Sequence, residues 1–240
     1  MSFMKPIEIR RKIIEIAKKH NHGHIAPALS TVEILCSIDA IMEDNDKFIM
    51  SKGHACLALY AFLQLRGLNP NTECGHPEYQ PEEGIECTTG SLGHGLPVAV
   101  GMAFAKKYLK QSGRVYVLLG DGECQEGTTW ESLLLASHHN LDNLTIIIDR
   151  NKLQALDRTE NVLSLENLHN MINSFQINII ELDDGHNIDS IINALKHKPS
   201  KKPLCIIANT IKGKGLPEAE NKAEWHYRFP TEEEIEGMIL

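Results

Sequence analysis

The sequence has 240 residues, 42% of them apolar, enough to bury the core of a single domain over residues 1–240 with at most a short carboxyl-terminal extension. A formal charge of −8 excludes a broad nucleic-acid-binding surface while leaving room for a local pocket that holds an anion. Six scattered cysteines without a CxxC pair, no secretory signal and no run near the roughly 20 apolar residues of a membrane span exclude a disulfide scaffold, a zinc finger and a membrane protein, and a cytoplasmic location is expected.

Ile7, Ile13, Ile14 and Ala17 recur at helical spacing among Lys and Arg, and Val32, Ile34, Leu35 and Ile38 mark a second helix over 31–42. Residues 69–95, rich in Pro, Gly, His and Thr, read as a long ordered loop of the kind that carries function. Apolar runs at 115–119, 144–148, 177–182 and 204–208 then alternate with helices expected over 96–110, 128–139 and 188–196. That alternation predicts an α/β fold with a mostly parallel sheet between two layers of helices. Thr231 and Glu234 have capping-box spacing before Ile235, so a short helix is expected near residue 235.

In an open parallel sheet, ligands sit beyond the carboxyl ends of the strands. The run 115–119 passes directly into Gly120-Asp121-Gly122-Glu123, and 144–148 into Asp149-Arg150-Asn151-Lys152-Leu153. One strand-helix-strand unit separates Asp121 from Asn151, a spacing that sets a carboxylate and an amide carbonyl on neighbouring strand ends. These are hard oxygen donors suited to magnesium or calcium, and a diphosphate held by backbone N–H groups would complete such a site. Either fragment alone is an ordinary turn; their order and separation give the pair its weight. A histidine-metal enzyme is the competing account of 12 histidines, but there is no HExxH.

Further motifs surround this pair: Gly23-His24, Ser51-Lys52-Gly53-His54, Gly75-His76-Pro77-Glu78, the stretch Thr88-Thr89-Gly90-Ser91-Leu92-Gly93-His94-Gly95, and Trp225-His226. The ordered set resembles the transketolase family and covers nearly the whole chain. The resemblance implies the three-layer thiamine diphosphate-binding fold and two-carbon ketol transfer from a ketose to an aldose. By it, Asp121, the Asn151 side chain and the Leu153 carbonyl would hold the metal, His54 and Gly122 would contact the diphosphate, and Gly90 and Leu92 would line the organic part of the cofactor. His24, His76 and His226 would meet substrate and move protons, and Glu126 would face an interface with another subunit. His20, His22, His138, His139, His169, His186 and His197 read as surface or structural histidines.

Three departures from the family pattern stand out: Ile25-Ala26-Pro27-Ala28 where glycines are common, His94 where Gln is frequent, and Asn209 where Lys is frequent, the last removing a positive charge from a strand end. They suggest a specialised sugar substrate. The resemblance also implies a second polypeptide, carrying pyrimidine-binding and carboxyl-terminal domains, that joins this chain in a heterotetramer. Rival readings are a 2-oxoacid decarboxylating component, a deoxyxylulose phosphate synthase, and a regulatory protein that kept the fold but not the activity.

Overall fold

The computed structural model describes residues 4–197 and 201–238. Met1–Phe3 of the charged amino-terminal stretch lie outside the described residues. Helix α1 (Pro6–His20) has Pro at its first position and ends where Asn21 turns into the left-handed region, φ 51°. That turn redirects the chain toward His24. The helix expected over 31–42 is shorter than its pattern suggested, α3 (Val32–Asp39), and a separate buried turn of helix, α2 (Ile25–Leu29), precedes it.

Among the described residues the sheet has five parallel strands: β1 (Lys47–Met50), β2 (Val115–Gly120), β3 (Leu144–Arg150), β4 (Asn178–Leu182) and β5 (Leu204–Asn209), in the order β1-β2-β3-β5-β4. Four of them are the expected apolar runs. On β3, side chains alternate between two cores, as strand geometry requires. Ile147 faces one side with Phe48, Leu118 and Ile206, under α1, α2, α3, α4 (Cys56–Leu65) and α9 (Ile188–Leu195). Ile146 and Ile148 face the other with Val117, Leu119 and Ile207, under α5 (Gly95–Tyr108), α6 (Gly127–His138) and α8 (Leu168–Asn173). The short α7 (Thr159–Val162) follows β3, and α10 (Glu232–Glu236) carries the expected capping box of Thr231 and Glu234. The three-layer α/β expectation holds, with a sheet that is wholly rather than mostly parallel.

β1 and α4 were absent from the expected elements. The strand contributes only four residues, and α4 is buried over Cys56–Leu63, so neither shows a polar-apolar period. Together they carry the chain into and out of Ser51-Lys52-Gly53-His54, and so place His54 at the carboxyl end of the sheet.

Candidate active site

Strand register puts Gly120 of β2 opposite Asp149 of β3, so the two polar exits seen in the sequence are neighbours in space. Over them lies a cavity of about 430 Å³. All eleven residues singled out from the sequence line it: His24, His54, His76, Gly90, Leu92, Asp121, Gly122, Glu126, Asn151, Leu153 and His226. A larger cavity, about 640 Å³, lies beside it over the ends of β3, β4 and β5, and of the eleven only Asn151 and Leu153 reach it.

The histidines form a cluster. The His24 ring lies 5.7 Å from those of His76 and His226 and 6.1 Å from that of His54, and His54 is 5.1 Å from His226. His22, read from sequence as structural, lies directly behind: its Nδ1 accepts the His24 backbone N–H at 3.4 Å. The loop bearing His76 is tied down by Tyr60, whose hydroxyl donates to the carbonyls of Cys74 and His76. It closes on the Ser51–His54 turn at Gly90 and Gly53. A Cβ on Gly53 would lie 2.6 Å from the Gly90 nitrogen, and Gly90 has φ 140° with His76 against it, so both positions require glycine.

Sequence reasoning did not assign the two lysines of the cavity. Lys52 is buried and ion-paired with Asp149, and its Nζ also donates to the Pro27 carbonyl at 2.9 Å and to Ser30 Oγ at 3.0 Å. Lys212 Nζ lies 2.9 Å from His226 Nδ1, 3.3 Å from the Gln154 carbonyl and 3.5 Å from the Leu153 carbonyl. A charged lysine only donates, so His226 accepts at Nδ1 and carries its proton on Nε2. Asn209 lines the larger neighbouring cavity and not this one, so the charge it was expected to remove is absent from a different strand end than the one Lys212 serves. Asn209 instead donates to the Leu182 carbonyl at 3.0 Å, tying β5 to β4.

Asp121 is held on both oxygens. Its Oδ1 accepts the Gly122 N–H at 2.8 Å, and Oδ2 accepts the Lys152 N–H at 2.6 Å and Arg150 Nη1 at 3.1 Å. Burial and the nearby Asp149 carboxylate raise Asp121 to about 6 against the pull of Arg150. Asn151 gives its amide N–H to Asp149 at 3.2 Å and keeps its oxygen, which accepts the Leu153 N–H at 3.1 Å. Glu126 is exposed at the cavity mouth, whereas the adjacent Glu123 is buried, accepting from Ser51, Gly93 and Gly120 and bracing the turn after β2.

Burial, with the His22 and His76 imidazoles, lowers His24 to about 4, and burial with Lys212 lowers His226 to about 3. Both are therefore neutral bases at pH 7. An unfolded histidine takes its proton near pH 6.5, so as pH falls from about 6.5 toward 4 the unfolded chain binds protons that these two resist. Their contribution to stability is full above pH 6.5 and is lost on the way down; Asp121, raised, works in the opposite sense. Thermal unfolding followed from pH 7 to 4 should accordingly show a shallower loss of midpoint in His226→Asn than in the unsubstituted chain. Parallel curves would show that His226 is not held neutral.

Residues 14–238 match the family model described as "Transketolase, thiamine diphosphate binding domain". The chain belongs to the transketolase family. Within it, the chain is 39% identical to an apulose-4-phosphate transketolase subunit of Actinobacillus succinogenes, over 95% of this chain and 91% of that one. It is 35% identical to the 6-deoxy-6-sulfo-D-fructose transketolase subunit SqwG of a Clostridium species, over 94% and 90%. The crystal structure of transketolase from Campylobacter jejuni superposes with a TM-score of 0.90 at 30% identity, covering 97% of this chain and 41% of that one. The chain thus spans about two fifths of that solved transketolase and most of the two relatives named before it.

Thiamine diphosphate fits the cavity as built. The Lys212 ammonium lies at the turn after β3, 3.3 Å from the Gln154 carbonyl, where it would meet a diphosphate, while Lys52 is engaged by Asp149. Asp121, Asn151 and Leu153 line the same cavity and carry oxygens of the hard type that magnesium prefers. His24, which lines the cavity, has its Nδ1 buried without a geometrically sound hydrogen bond among the described residues.

Proposed function

We propose that this chain is the amino-terminal subunit of a split transketolase, a cytoplasmic transferase that moves a two-carbon ketol unit from a ketose, phosphorylated or otherwise modified, to an aldose. The observation that carries this reading is the gathering of all eleven motif residues around one cavity at the ends of β2 and β3. Bound there, thiamine diphosphate supplies the electron sink for carbon–carbon cleavage. Asp121, the Asn151 side chain and the Leu153 carbonyl would hold magnesium or calcium, and His54 and Gly122 would contact the diphosphate. Gly90 and Leu92 line the organic end of the cofactor. The neutral His24 and His226, with His76, take and return protons at substrate hydroxyls, and water is kept out by the partner that closes the mouth.

The partner reading has its own support in the surface. α5 and α6 pack on the sheet, yet their outward sides are also apolar: Val98, Phe104 and Tyr108 on one, Leu134 and Leu135 on the other, all exposed. Phe104 stacks on Tyr108 at 6.2 Å and meets His139 edge-on at 4.7 Å, joining the two helices into one patch. A helix apolar all round belongs inside an assembly. At the cavity itself Leu92 and Leu156 are also exposed, the latter 85%. A polypeptide bearing the pyrimidine-binding and carboxyl-terminal domains is the occupant this face suits, in a heterotetramer of two copies each.

The test is reconstitution. The isolated chain with thiamine diphosphate and magnesium should be nearly inactive, and addition of the partner should restore ketol transfer; full activity alone, or none with the partner, overturns the reading. Phe104→Glu with Leu135→Glu should weaken association by on the order of 1,000-fold, since central interface anchors cost about 2 kcal/mol each. Sedimentation of the pair measures it, and an unchanged dissociation constant would place the interface elsewhere. A modified ketose as donor is favoured by the departures at Ala26 and His94, and by relatives named for apulose-4-phosphate and a sulfo-sugar.

A further inference from the structure

Tyr227 belongs to none of the motifs and does not line the cavity, yet its position is closely fixed. It ends the 3-10 turn Ala223–Tyr227, in which three successive side chains point in three directions. Trp225 points inward and is 1% exposed, with the Arg228 guanidinium 3.9 Å from its ring centre. His226 points into the cavity. Tyr227 points to the rim.

There its ring rests on Gly23, where a Cβ would lie 3.1 Å from ring carbons Cδ1 and Cε1, and the Arg228 N–H donates to the Gly23 carbonyl at 3.0 Å. The ring meets His24 edge-on, centres 4.7 Å apart at 82°, with His22 behind at 6.1 Å. In spite of these contacts it is 62% exposed, and its hydroxyl makes no hydrogen bond among the described residues. A tyrosine held rigidly in the open presents an apolar face and a polar tip at little cost in side-chain freedom, which is how such residues serve recognition.

We propose that Tyr227 is a specificity-determining residue that contacts the end of the sugar chain remote from the bond being broken. The inference rests on the transketolase reading above. A three-carbon donor reacting beside His24 and His226 would stay inside the cavity, whereas a sugar of five to seven carbons would extend past His24 and run along the phenol. The ring then packs against the carbon chain and the hydroxyl bonds to a sugar hydroxyl or its anionic end group. The departure at Ile25–Ala28 lies beneath the same turn, because the buried α2 packs against the segment that carries Tyr227.

The test uses the reconstituted pair with thiamine diphosphate and magnesium, the unsubstituted chain, Tyr227→Ala and Tyr227→Phe. KM and kcat are measured for hydroxypyruvate and for a panel of five- to seven-carbon ketoses and ketose phosphates. The ratio of the KM for the best long ketose to that for hydroxypyruvate should rise by about tenfold in Tyr227→Ala and about threefold in Tyr227→Phe. An unchanged ratio in both variants overturns the inference, including the case in which Tyr227→Ala instead weakens partner association and so marks an interface residue. An unsubstituted pair that uses hydroxypyruvate but no long ketose also overturns it and leaves the transketolase reading standing. A pair that turns over neither donor class defeats both.

Discussion

Lys52→Met is expected to destabilise the chain by about 3–5 kcal/mol, the cost of leaving one member of a buried ion pair alone. The Lys52 and Asp149 side chains are 1% and 0% exposed. Burial pushes the Asp149 carboxyl up, but the Lys52 ammonium and the hydrogen bonds from Lys52, Ser30 and Thr210 outweigh it and hold Asp149 below its ordinary value. Without the ammonium, the carboxylate keeps only neutral donors: Ser30 Oγ at 2.6 Å, Asn151 Nδ2 at 3.2 Å and Thr210 Oγ1. Those cannot offset the loss of a counter-charge in so dry a place. Urea unfolding would show the midpoint falling with little change in slope. Lys52→Met with Asp149→Asn, which removes both charges and keeps an acceptor, should recover a large part of the loss. A single variant costing under about 1 kcal/mol would mean that the pair contributes little. The consequence reaches the site, because the same ammonium ties the Pro27 carbonyl, and with it the segment after His24, to the end of β3.

That pair also marks what the sequence could not reveal. The runs ending at Leu119 and Ile148 were legible because buried parallel strands are apolar on both faces, but β3 continues through Asp149 and Arg150, whose charges disguise it as a loop. Their burial depends on partners far along the chain: Lys52 lies 97 residues from Asp149, and Asp121 lies 29 from Arg150. No local pattern carries that information. β1 escaped notice because four residues give no period, and α4 because a helix buried on every side looks like any apolar run. The candidate site was far more legible than its supports. His24, His54, His76, Asp121, Asn151 and His226 announce themselves through neighbouring glycines and strand exits, whereas Lys212, in a stretch of alternating Lys and Gly, looks like a surface charge until the fold turns it against His226. A lysine within a Gly-Lys stretch after the last strand was the one available hint. Tyr227 could have been suspected only from its place beside His226.

Asp121→Asn should lower affinity for thiamine diphosphate in magnesium by at least about 100-fold, beyond the 10–100-fold that changes behind a metal's direct ligands cost. The asparagine keeps the shape of the side chain and one oxygen for the Gly122 or Lys152 N–H, so the turn after β2 should survive. What it removes is the negative charge that a divalent cation needs at this end of the sheet, where the Asn151 and Leu153 oxygens are neutral. It also leaves the Arg150 guanidinium facing an amide, although Glu160 remains paired to Arg150 and limits the structural damage. Asp121→Ala would lose the hydrogen bonds as well, and is therefore the less informative change. Titration calorimetry of the reconstituted pair, with magnesium and with EDTA, separates the possibilities. The unsubstituted pair should bind the cofactor tightly only with the metal, and the asparagine variant weakly under both conditions, with its urea midpoint reporting whether the fold is intact. If the folded variant binds as tightly as the unsubstituted pair, Asp121 is not a metal ligand. The carboxylate would then serve only to anchor Arg150 and the loop after β3, and the diphosphate would depend on Lys212 and the backbone N–H groups alone.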